Sequence, residues 1–192
     1  MTNGLIQAVS RAPRVSIEDV FQRHASAKHT ALTGSLGGRW GGGAYPVLYL
    51  ARPEQAVVAE AYRWLVDPTE GMTGDRVHDR VLLTVRVTAE GILDLRDRDV
   101  RGSVGLTDAD IFSEVNDADA YARCRAVSQA AHQLGMKGLL VPAASQLGET
   151  LALFSRQLLP GELPELVTQV RWEVLPPDPR RLRLVSDDAA DA

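Results

Sequence analysis

The segment from Gly37 to Glu60 contains residue types that can bind an anion and stabilise a cation. Arg39 and Trp40 lie within a run of five glycines. A guanidinium binds phosphate through paired hydrogen bonds, and glycines let backbone N–H groups approach an anion closely. Glu60 lies beside Trp64 at the edge of the apolar stripe of a predicted helix. Either the arginine and the acid share a cleft, or both are solvated on a turn and a helix flank.

The glycine-rich loop matches neither of the common nucleotide-binding motifs. It lacks the Gly-Lys-Ser/Thr ending of a P-loop, and it precedes its strand, whereas a Rossmann fingerprint follows one. The four histidines form no HExxH pattern and no cluster with Cys124, so we expect no metal site. Cys124 falls in the apolar stripe of a predicted helix, which favours a buried structural thiol over a nucleophile.

Length and composition indicate one domain without a basic surface. The 192 residues suffice for a single core, and the net charge of −4 comes from interspersed acidic and basic residues. We therefore expect no binding to nucleic acid or to a membrane. The single cysteine, the start without a signal-peptide pattern and the lack of an apolar run of roughly 20 residues predict a cytoplasmic protein.

Two predicted helices would position the candidate residues. The first begins at Pro53 and runs to about Leu65, since proline suits the first turn of a helix. The second spans residues 118–134, where Asp117 can cap its start and Gly135 can end it. Glu60 belongs to the first helix.

The remaining pattern predicts strands, which together with the helices indicate a single α+β domain. Alternation over residues 81–87 predicts a strand that forms a hairpin with residues 91–97 through a turn at Glu90 and Gly91. Residues 16–24 are either a strand or a helical turn, and a glycine-rich loop covers residues 34–45. Further strands are predicted at residues 46–51, 137–144, 150–155 and 166–175.

The predicted domain has short extensions at both ends. Residues 1–15 are expected to form an irregular arm, and residues 16–176 the folded domain. Residues 177–192 are proline-rich and then charged, which predicts a partly disordered tail.

Five short motifs together resemble the RES-domain family, the toxins of bacterial RES/Xre toxin–antitoxin pairs. The motifs are FQRH, GGRW, PVLYLA, PEQAVVAE and GLLVPAA, and the resemblance covers roughly residues 21–154. It implies a fold similar to the catalytic core of ADP-ribosylating toxins around an NAD cleft. It also implies a toxin that cleaves the nicotinamide–ribose bond of NAD by phosphorolysis, as in a mycobacterial member, or by hydrolysis. The alternative within the family is transfer of ADP-ribose to a cellular protein.

The resemblance assigns roles to particular residues. The carboxylate of Glu60 would stabilise the ribosyl cation that develops as the bond breaks. Arg23 and Arg39 would clamp the pyrophosphate, and Tyr49 would stack on or flank the nicotinamide. His24 stands where the mycobacterial member has tyrosine, and it could bond the adenosine ribose or the nicotinamide amide. These residues form the expected catalytic and NAD-binding set.

Trp40 completes the expected NAD-binding residues. Besides His24, the chain departs from the family pattern at two serine positions and in the glycine-rich loop. The family serine near the start of the long helix falls on Ala122, and Ala143 stands where many members have serine. Ser128 lies six residues after Ala122 and points about 120° away, so it does not replace that hydroxyl. Ser145 could do so if its loop turns inward. The glycines after Trp40 replace Asn and Pro of many relatives, which predicts a more mobile loop.

The resemblance also implies ligands and partners. NAD would be the substrate and inorganic phosphate a possible co-substrate, with no metal. An Xre-type helix-turn-helix antitoxin would block the cleft with its C-terminal segment, within a higher-order toxin–antitoxin complex. A third hypothesis, based on Ala122, is a catalytically weakened module that binds NAD or an antitoxin. A fourth is an unrelated α+β domain with coincidental motifs.

Overall fold

In the described part of the chain, six β-strands form one sheet that closes on itself. The structure is a computed structural model that describes residues 3–181. The strand order is β1-β2-β5-β4-β3-β6, and β1 also pairs with β3. Five strands therefore form a closed ring, and β6 extends the sheet from β3. The strands are β1 (Arg14–Ser26), β2 (Val47–Arg52), β3 (Arg80–Asp94), β4 (Gly138–Pro142), β5 (Glu149–Phe154) and β6 (Glu165–Trp172).

Among the residues that the structure describes, five helices pack around the ring. None of the helices within residues 3–181 combines the length and the apolar character needed to cross a bilayer. The helices are α1 (Asn3–Arg11), α2 (Glu54–Leu65), α3 (Arg98–Ser103), α4 (Asp108–Ile111) and α5 (Ala118–Gln133), with short 3₁₀ turns at Gly74–Arg76 and Pro160–Glu162. The chain is thus a single mixed domain of strands and helices, as the sequence predicts.

The ring closes because β3 is long enough to pair with three strands. One side of β3 pairs with β1 over almost its whole length. On the other side, residues 80–86 pair with β6 and residues 92–94 pair in parallel with β4. The predicted hairpin at Glu90 and Gly91 is therefore wrong. Gly91 has φ +72° and lies at an irregularity of the β1–β3 register, so its glycine conformation serves a bulge within one continuous strand.

The ends of the domain differ from expectation. Residues 3–11 form α1 instead of an irregular arm, and Val9 is completely buried against the core that α5 also covers. The helix spans only nine residues, which is shorter than the window of about 11–18 residues in which helical periodicity is read. The ambiguous residues 16–24 belong to β1. The disorder expected at the end of the tail falls on residues 182–192, outside the described part of the chain.

Alternation along β2 decides which side chains reach each side of the ring. Leu48 and Leu50 belong to the core inside the ring, with Phe21 of β1. Val47 belongs to the second core, beneath α1 and α5, and Tyr49 packs against that core. A third, smaller core lies under α2. The predicted strand and the predicted helix that follow the glycine-rich loop are thus confirmed, and they bring Tyr49 and α2 to one side of the ring.

Candidate active site

A cavity of about 540 Å³ opens where β1 and β2 separate. These strands share one paired position, Gln22 with Ala51, and residues 22–26 of β1 line the cavity beyond it. The other walls come mainly from β2, α2, the glycine-rich loop and Tyr121 of α5, with single residues or pairs from β3, β4, β5 and α4. All six site residues predicted from the sequence line this cavity, namely Arg23, His24, Arg39, Trp40, Tyr49 and Glu60.

The Glu60 carboxylate is oriented by two neighbours on α2. Its Oε1 accepts a hydrogen bond of 2.8 Å from the indole Nε1 of Trp64, and its Oε2 lies 3.6 Å from Nε of Arg63. Trp64 is 39% exposed, although the helical wheel places it in the apolar stripe. The indole therefore covers the carboxylate at the cavity instead of filling the core. The side chain of Glu60 remains 37% exposed and open to a ligand.

Arg39 is buried and its guanidinium is largely bound by the end of α4. Its Nη1 donates to the carbonyl of Asp110 and to Oγ of Ser113, and its Nη2 donates to the carbonyl of Ser113 at 2.9 Å. The guanidinium also lies over the ring of Tyr121, 4.6 Å from its centroid. Arg63 donates to the same Ser113 carbonyl at 2.8 Å. One carbonyl thus joins the glycine-rich loop to the helix that carries the acid.

Tyr49 holds the glycine-rich loop against β2. Its hydroxyl donates to the carbonyl of Gly37 and accepts from the backbone N–H of Trp40, both at 3.0 Å. Gly38 has φ +93°, and a Cβ there would lie 2.6 Å from the tyrosine oxygen, so the close approach requires glycine. Burial raises the pKa of Tyr49 well above its usual range, so the hydroxyl remains protonated.

Helix α5 fixes the same loop from the other side. Arg125 donates to the carbonyl of Gly38 at 3.2 Å, and Ser128 donates to the carbonyl of Trp40 at 2.6 Å. Ser128 also bonds the hydroxyl of Tyr45 at 3.0 Å. Trp40 is only 2% exposed and belongs to the core, so it presents little surface to the cavity. Bonds on both sides hold a loop that the sequence predicts to be mobile.

Two arginines and a histidine line the cavity on β1 and β3. Nη2 of Arg80 lies 2.6 Å from Nδ1 of His24, and the imidazole stacks near Trp172 at 6.5 Å between ring centroids. Burial, then the charges of Arg80 and Arg23, lower the pKa of His24 to about 3. The histidine is therefore neutral at physiological pH. Burial also lowers the pKa of Arg23 and of Arg80.

Local sequence patterns do not distinguish Arg80 and Tyr121 as cavity residues, and they place Trp64 in the apolar stripe of a helix. Arg80 begins a strand, and no local pattern distinguishes it from the other arginines. Tyr121 lies one position from the apolar stripe that the sequence assigns to α5. Helical periodicity places Trp64 among the packed apolar residues. Its position four residues after Glu60 is the signal for a contact between the indole and the carboxylate.

The structure also places the serine and alanine positions that the resemblance brought into question. Ala122 is exposed and does not line the cavity, so a hydroxyl there would not reach it. Ala143 is buried under α2, and Ser145 accepts from the backbone of Leu147 at 3.4 Å without lining the cavity. Cys124 is completely buried, and burial raises the pKa of its thiol to about 11, which fits a structural role.

Within residues 3–181, no group of three or more histidine, cysteine or acidic residues is placed to hold a metal ion. The chemical capacity of the cavity comes from one oriented carboxylate, cationic and neutral hydrogen-bond donors, and aromatic rings. Such a set can bind a phosphorylated ligand and stabilise a positive charge that develops beside the carboxylate.

Comparison with known proteins gives consistent matches over most of the chain. The NAD(+) phosphorylase MbcT of Mycobacterium tuberculosis is 31% identical over 170 residues, which cover 85% of this chain and 88% of MbcT. MbcT of Mycobacterium bovis matches to the same extent. Among solved structures, the crystal structure of the M. tuberculosis MbcT–MbcA toxin–antitoxin complex matches with a TM-score of 0.76 and 30% identity. That match covers 89% of this chain and 93% of the other.

The family assignment rests on an independent match. The model of the RES domain matches residues 12–186, which include every strand, helices α2 to α5 and all the cavity residues named above. The chain therefore belongs to the RES-domain family.

Proposed function

We propose that this protein is the toxin of a toxin–antitoxin pair and that it cleaves the nicotinamide–ribose bond of NAD by phosphorolysis. The observation that carries the proposal is the convergence of Glu60, Arg23 and Arg80 on one cavity of about 540 Å³. That volume suits a small-molecule ligand. The relative MbcT, named an NAD(+) phosphorylase, supports the reaction.

The proposed reaction breaks one bond and forms one at the ribose C1 carbon. The bonding electron pair leaves with the nicotinamide nitrogen, which becomes neutral, and the ribose develops the positive charge of an oxocarbenium ion. Glu60 would stabilise that charge because its carboxylate is already oriented by Trp64 and Arg63. An oxygen of inorganic phosphate then bonds to C1 and gives ADP-ribose phosphate.

The remaining predicted residues would bind NAD in different ways. The side chain of Arg23 lines the cavity and makes no hydrogen bond or ion pair with any residue in the described range, so its guanidinium is available to the pyrophosphate. Three N–H groups of Arg39 bond Asp110 and Ser113, so Arg39 would add positive charge and its remaining donors. The ring of Tyr49 would flank the nicotinamide while its hydroxyl holds the loop. Trp40 would support that loop from the core.

The likeness of this cleft to that of ADP-ribosylating toxins stays a prediction. If the likeness holds, the same ribosyl cation could be captured by phosphate, by water or by a side chain of a cellular protein. We favour phosphate as the acceptor because the relatives named MbcT are NAD(+) phosphorylases. NAD is an intracellular metabolite, so the proposed reaction would take place in the cytoplasm.

The test is to incubate the protein with NAD, with and without inorganic phosphate, and to identify the products by ³¹P and ¹H NMR. We expect ADP-ribose phosphate and nicotinamide when phosphate is present. Unchanged NAD in both incubations at high protein concentration would refute the proposal. Labelling of a lysate protein instead of free products would favour ADP-ribosyl transfer.

Glu60→Gln removes the charge that the mechanism requires and keeps the hydrogen-bonding shape of the side chain. We expect kcat to fall roughly 100-fold to 1,000-fold, measured from the rate of nicotinamide release. Glu54→Gln is the matched control, because Glu54 is exposed on the same helix and does not line the cavity. Equal activity of the two variants would show that the reaction does not require the charge of Glu60.

We also propose an antitoxin partner, as in the MbcT–MbcA complex. A helix-turn-helix protein of the Xre type whose C-terminal segment occupies the cavity remains the prediction of the resemblance, as does a higher-order assembly. Co-expression with the product of a neighbouring reading frame, followed by activity and mass measurements of the purified complex, tests both. An active complex with an accessible cavity would contradict the blocking segment.

A further inference from the structure

Arg80 lies in the cavity without a carboxylate partner. Among residues 3–181, neither Arg80 nor Arg23 has an acidic oxygen within 4.0 Å, although the structure forms fourteen such ion-pair contacts elsewhere. The Nε of Arg80 is also buried and has no hydrogen-bond acceptor. A buried donor without an acceptor is unfavourable, and so is a cation shielded from water without a counter-ion. Arg39, which also lines the cavity, forms no ion pair either, but its guanidinium bonds Asp110 and Ser113. Arg23 and Arg80 are therefore the two cavity cations that have neither a carboxylate partner nor such bonds to carbonyl groups within the described residues.

The bond between Arg80 and His24 fixes the direction of the imidazole proton. A guanidinium has no acceptor, so Nη2 of Arg80 donates and Nδ1 of His24 accepts at 2.6 Å. The neutral imidazole then has its single proton on Nε2, which can only donate. His24 is thereby a donor towards any further ligand, as both arginines are.

Strand pairing brings these groups together. His24 is paired with Leu82 and Ser26 is paired with Arg80, so Arg80 lies two positions along the sheet from His24. Arg23 is the residue next to His24, and all three line the same cavity. A cluster of donors without an acceptor suits an anion. Guanidinium groups bind phosphate oxygens in pairs, which makes a phosphate group the best match.

We propose that Arg80, together with Arg23 and the Nε2–H of His24, forms a phosphate-binding subsite of the cavity. Arg80 has two functions there: it donates to the phosphate oxygens, and it holds His24 in the tautomer that donates. The inference rests on the proposed function for the source of the anion, which is either the pyrophosphate of NAD or the inorganic phosphate that attacks the ribose. Both sources present anionic phosphate oxygens to the subsite.

The test compares Arg80→Gln with Arg86→Gln, a matched control because Arg86 is exposed on the same strand and outside the cavity. Binding of ADP-ribose and of inorganic phosphate to each full-length variant is measured by isothermal titration calorimetry. We expect roughly tenfold to hundredfold weaker binding of at least one anion to Arg80→Gln, and wild-type binding to Arg86→Gln. Binding of both anions within twofold of wild type in Arg80→Gln would overturn the proposal.

Steady-state kinetics then distinguish the two sources of the anion. A raised KM for NAD with an unchanged KM for phosphate assigns the subsite to the pyrophosphate. The opposite result assigns it to the attacking phosphate, and either result supports the subsite. If the wild type binds ADP-ribose or phosphate but does not cleave NAD, the proposed reaction fails and the subsite stands.

Protein stability separates the subsite from a structural role. Removing an unneutralised cation should leave the free energy of unfolding without ligand unchanged or raise it. Added phosphate should then stabilise the wild type more than Arg80→Gln. Arg80→Lys, which retains charge but loses the paired donors, provides a second variant and should bind at an intermediate affinity. A large loss of stability in both variants, with equal stabilisation of each variant and of the wild type by phosphate, would overturn the proposal.

Discussion

Glu60 and Arg80 are an anion and a cation of the same cavity, and they differ in the partners that the structure gives them. Trp64 and Arg63 orient the carboxylate of Glu60, and both belong to its own helix. Arg80 has instead only a neutral partner, His24, on a neighbouring strand. At the scale of single residues, the cavity is therefore prepared for a ligand that carries both a negative group and a developing positive charge.

His24 should make stability depend on pH in a predictable direction. Its pKa is about 3 in the folded protein, against about 6.5 for an exposed histidine, because burial and two arginine charges disfavour the protonated form. Between these values the unfolded chain binds the extra proton, so the free energy of unfolding falls as pH decreases from about 6.5 towards 3. Above pH 6.5 this contribution is constant.

The variant His24→Asn removes that titration and keeps an acceptor for Arg80. We expect the slope of unfolding free energy between pH 6 and pH 4 to decrease by up to about 1.4 kcal/mol per pH unit, measured by urea denaturation. His29→Asn is the control, because His29 is exposed at the same cavity. An unchanged slope in His24→Asn would show that the histidine is not buried as a neutral group.

At the scale of elements, the glycine-rich loop and α5 are far apart in the sequence but in contact at the site. The loop is fixed by Tyr49 of β2 and by Arg125 and Ser128 of α5, which come from widely separated parts of the chain. Its glycines allow the close approach, and the bonds determine where the loop lies. The glycine-rich loop is therefore a fixed wall of the cavity, although its sequence predicts a mobile segment.

Tyr49→Phe tests whether the tyrosine acts by holding this loop. The change leaves the N–H of Trp40 and the carbonyl of Gly37 without their partner, so we expect a loss of about 1–3 kcal/mol in unfolding free energy. We also expect a raised KM for NAD. Tyr62→Phe is the control, because its hydroxyl donates to Pro176 outside the cavity and its loss should lower stability without changing KM. A fall in kcat alone would instead indicate that the hydroxyl takes part in the reaction.

Ala122→Ser tests the serine that the family pattern places at this position. Because Ala122 is exposed on α5 and does not line the cavity, we expect kcat and KM to remain at wild-type values. Unfolding free energy should change by no more than about 0.5 kcal/mol. A tenfold gain in activity would contradict the structure and support the hypothesis of a weakened module.

At the scale of the whole molecule, the closed ring and α4 connect the walls of the cavity. The cavity opens where β1 and β2 stop pairing, while β1 stays joined to β3 throughout. Asp110 of α4 and Ser113, which follows this helix, bind Arg39 of the glycine-rich loop, and the carbonyl of Ser113 also binds Arg63 of α2. The site is thus assembled from segments that only the complete fold brings together.

Asp110→Asn tests how far stability depends on α4. The buried carboxylate accepts bonds from the N–H and hydroxyl of Thr107 and from Arg123, and these contacts lower the pKa of Asp110 although burial alone would raise it. We expect the variant to lose about 1–3 kcal/mol of unfolding free energy at pH 7, measured by urea denaturation. Asp119→Asn, exposed on α5, should lose much less. Equal losses would show that the α4 network contributes little.

Residue types of the site and most of the elements that carry them can be predicted from the amino-acid sequence alone. The resemblance to the RES-domain family implies six site residues, all of which line one cavity, and local periodicity predicts β2, α2 and α5. These features succeed because residues a few positions apart are already neighbours in a helix or strand. The family resemblance, which the comparisons confirm, depends on the same short motifs.

The three-dimensional fold determines how those residues are used. It turned the predicted hairpin into one long strand, placed Arg80 against a histidine 56 positions earlier, and bound Arg39 to α4, more than 70 residues away. In the fold, Ala122 lies at the surface and Trp64 lies at the cavity. Such contacts join residues that are far apart in the chain, and local periodicity holds no information about which distant segments pair.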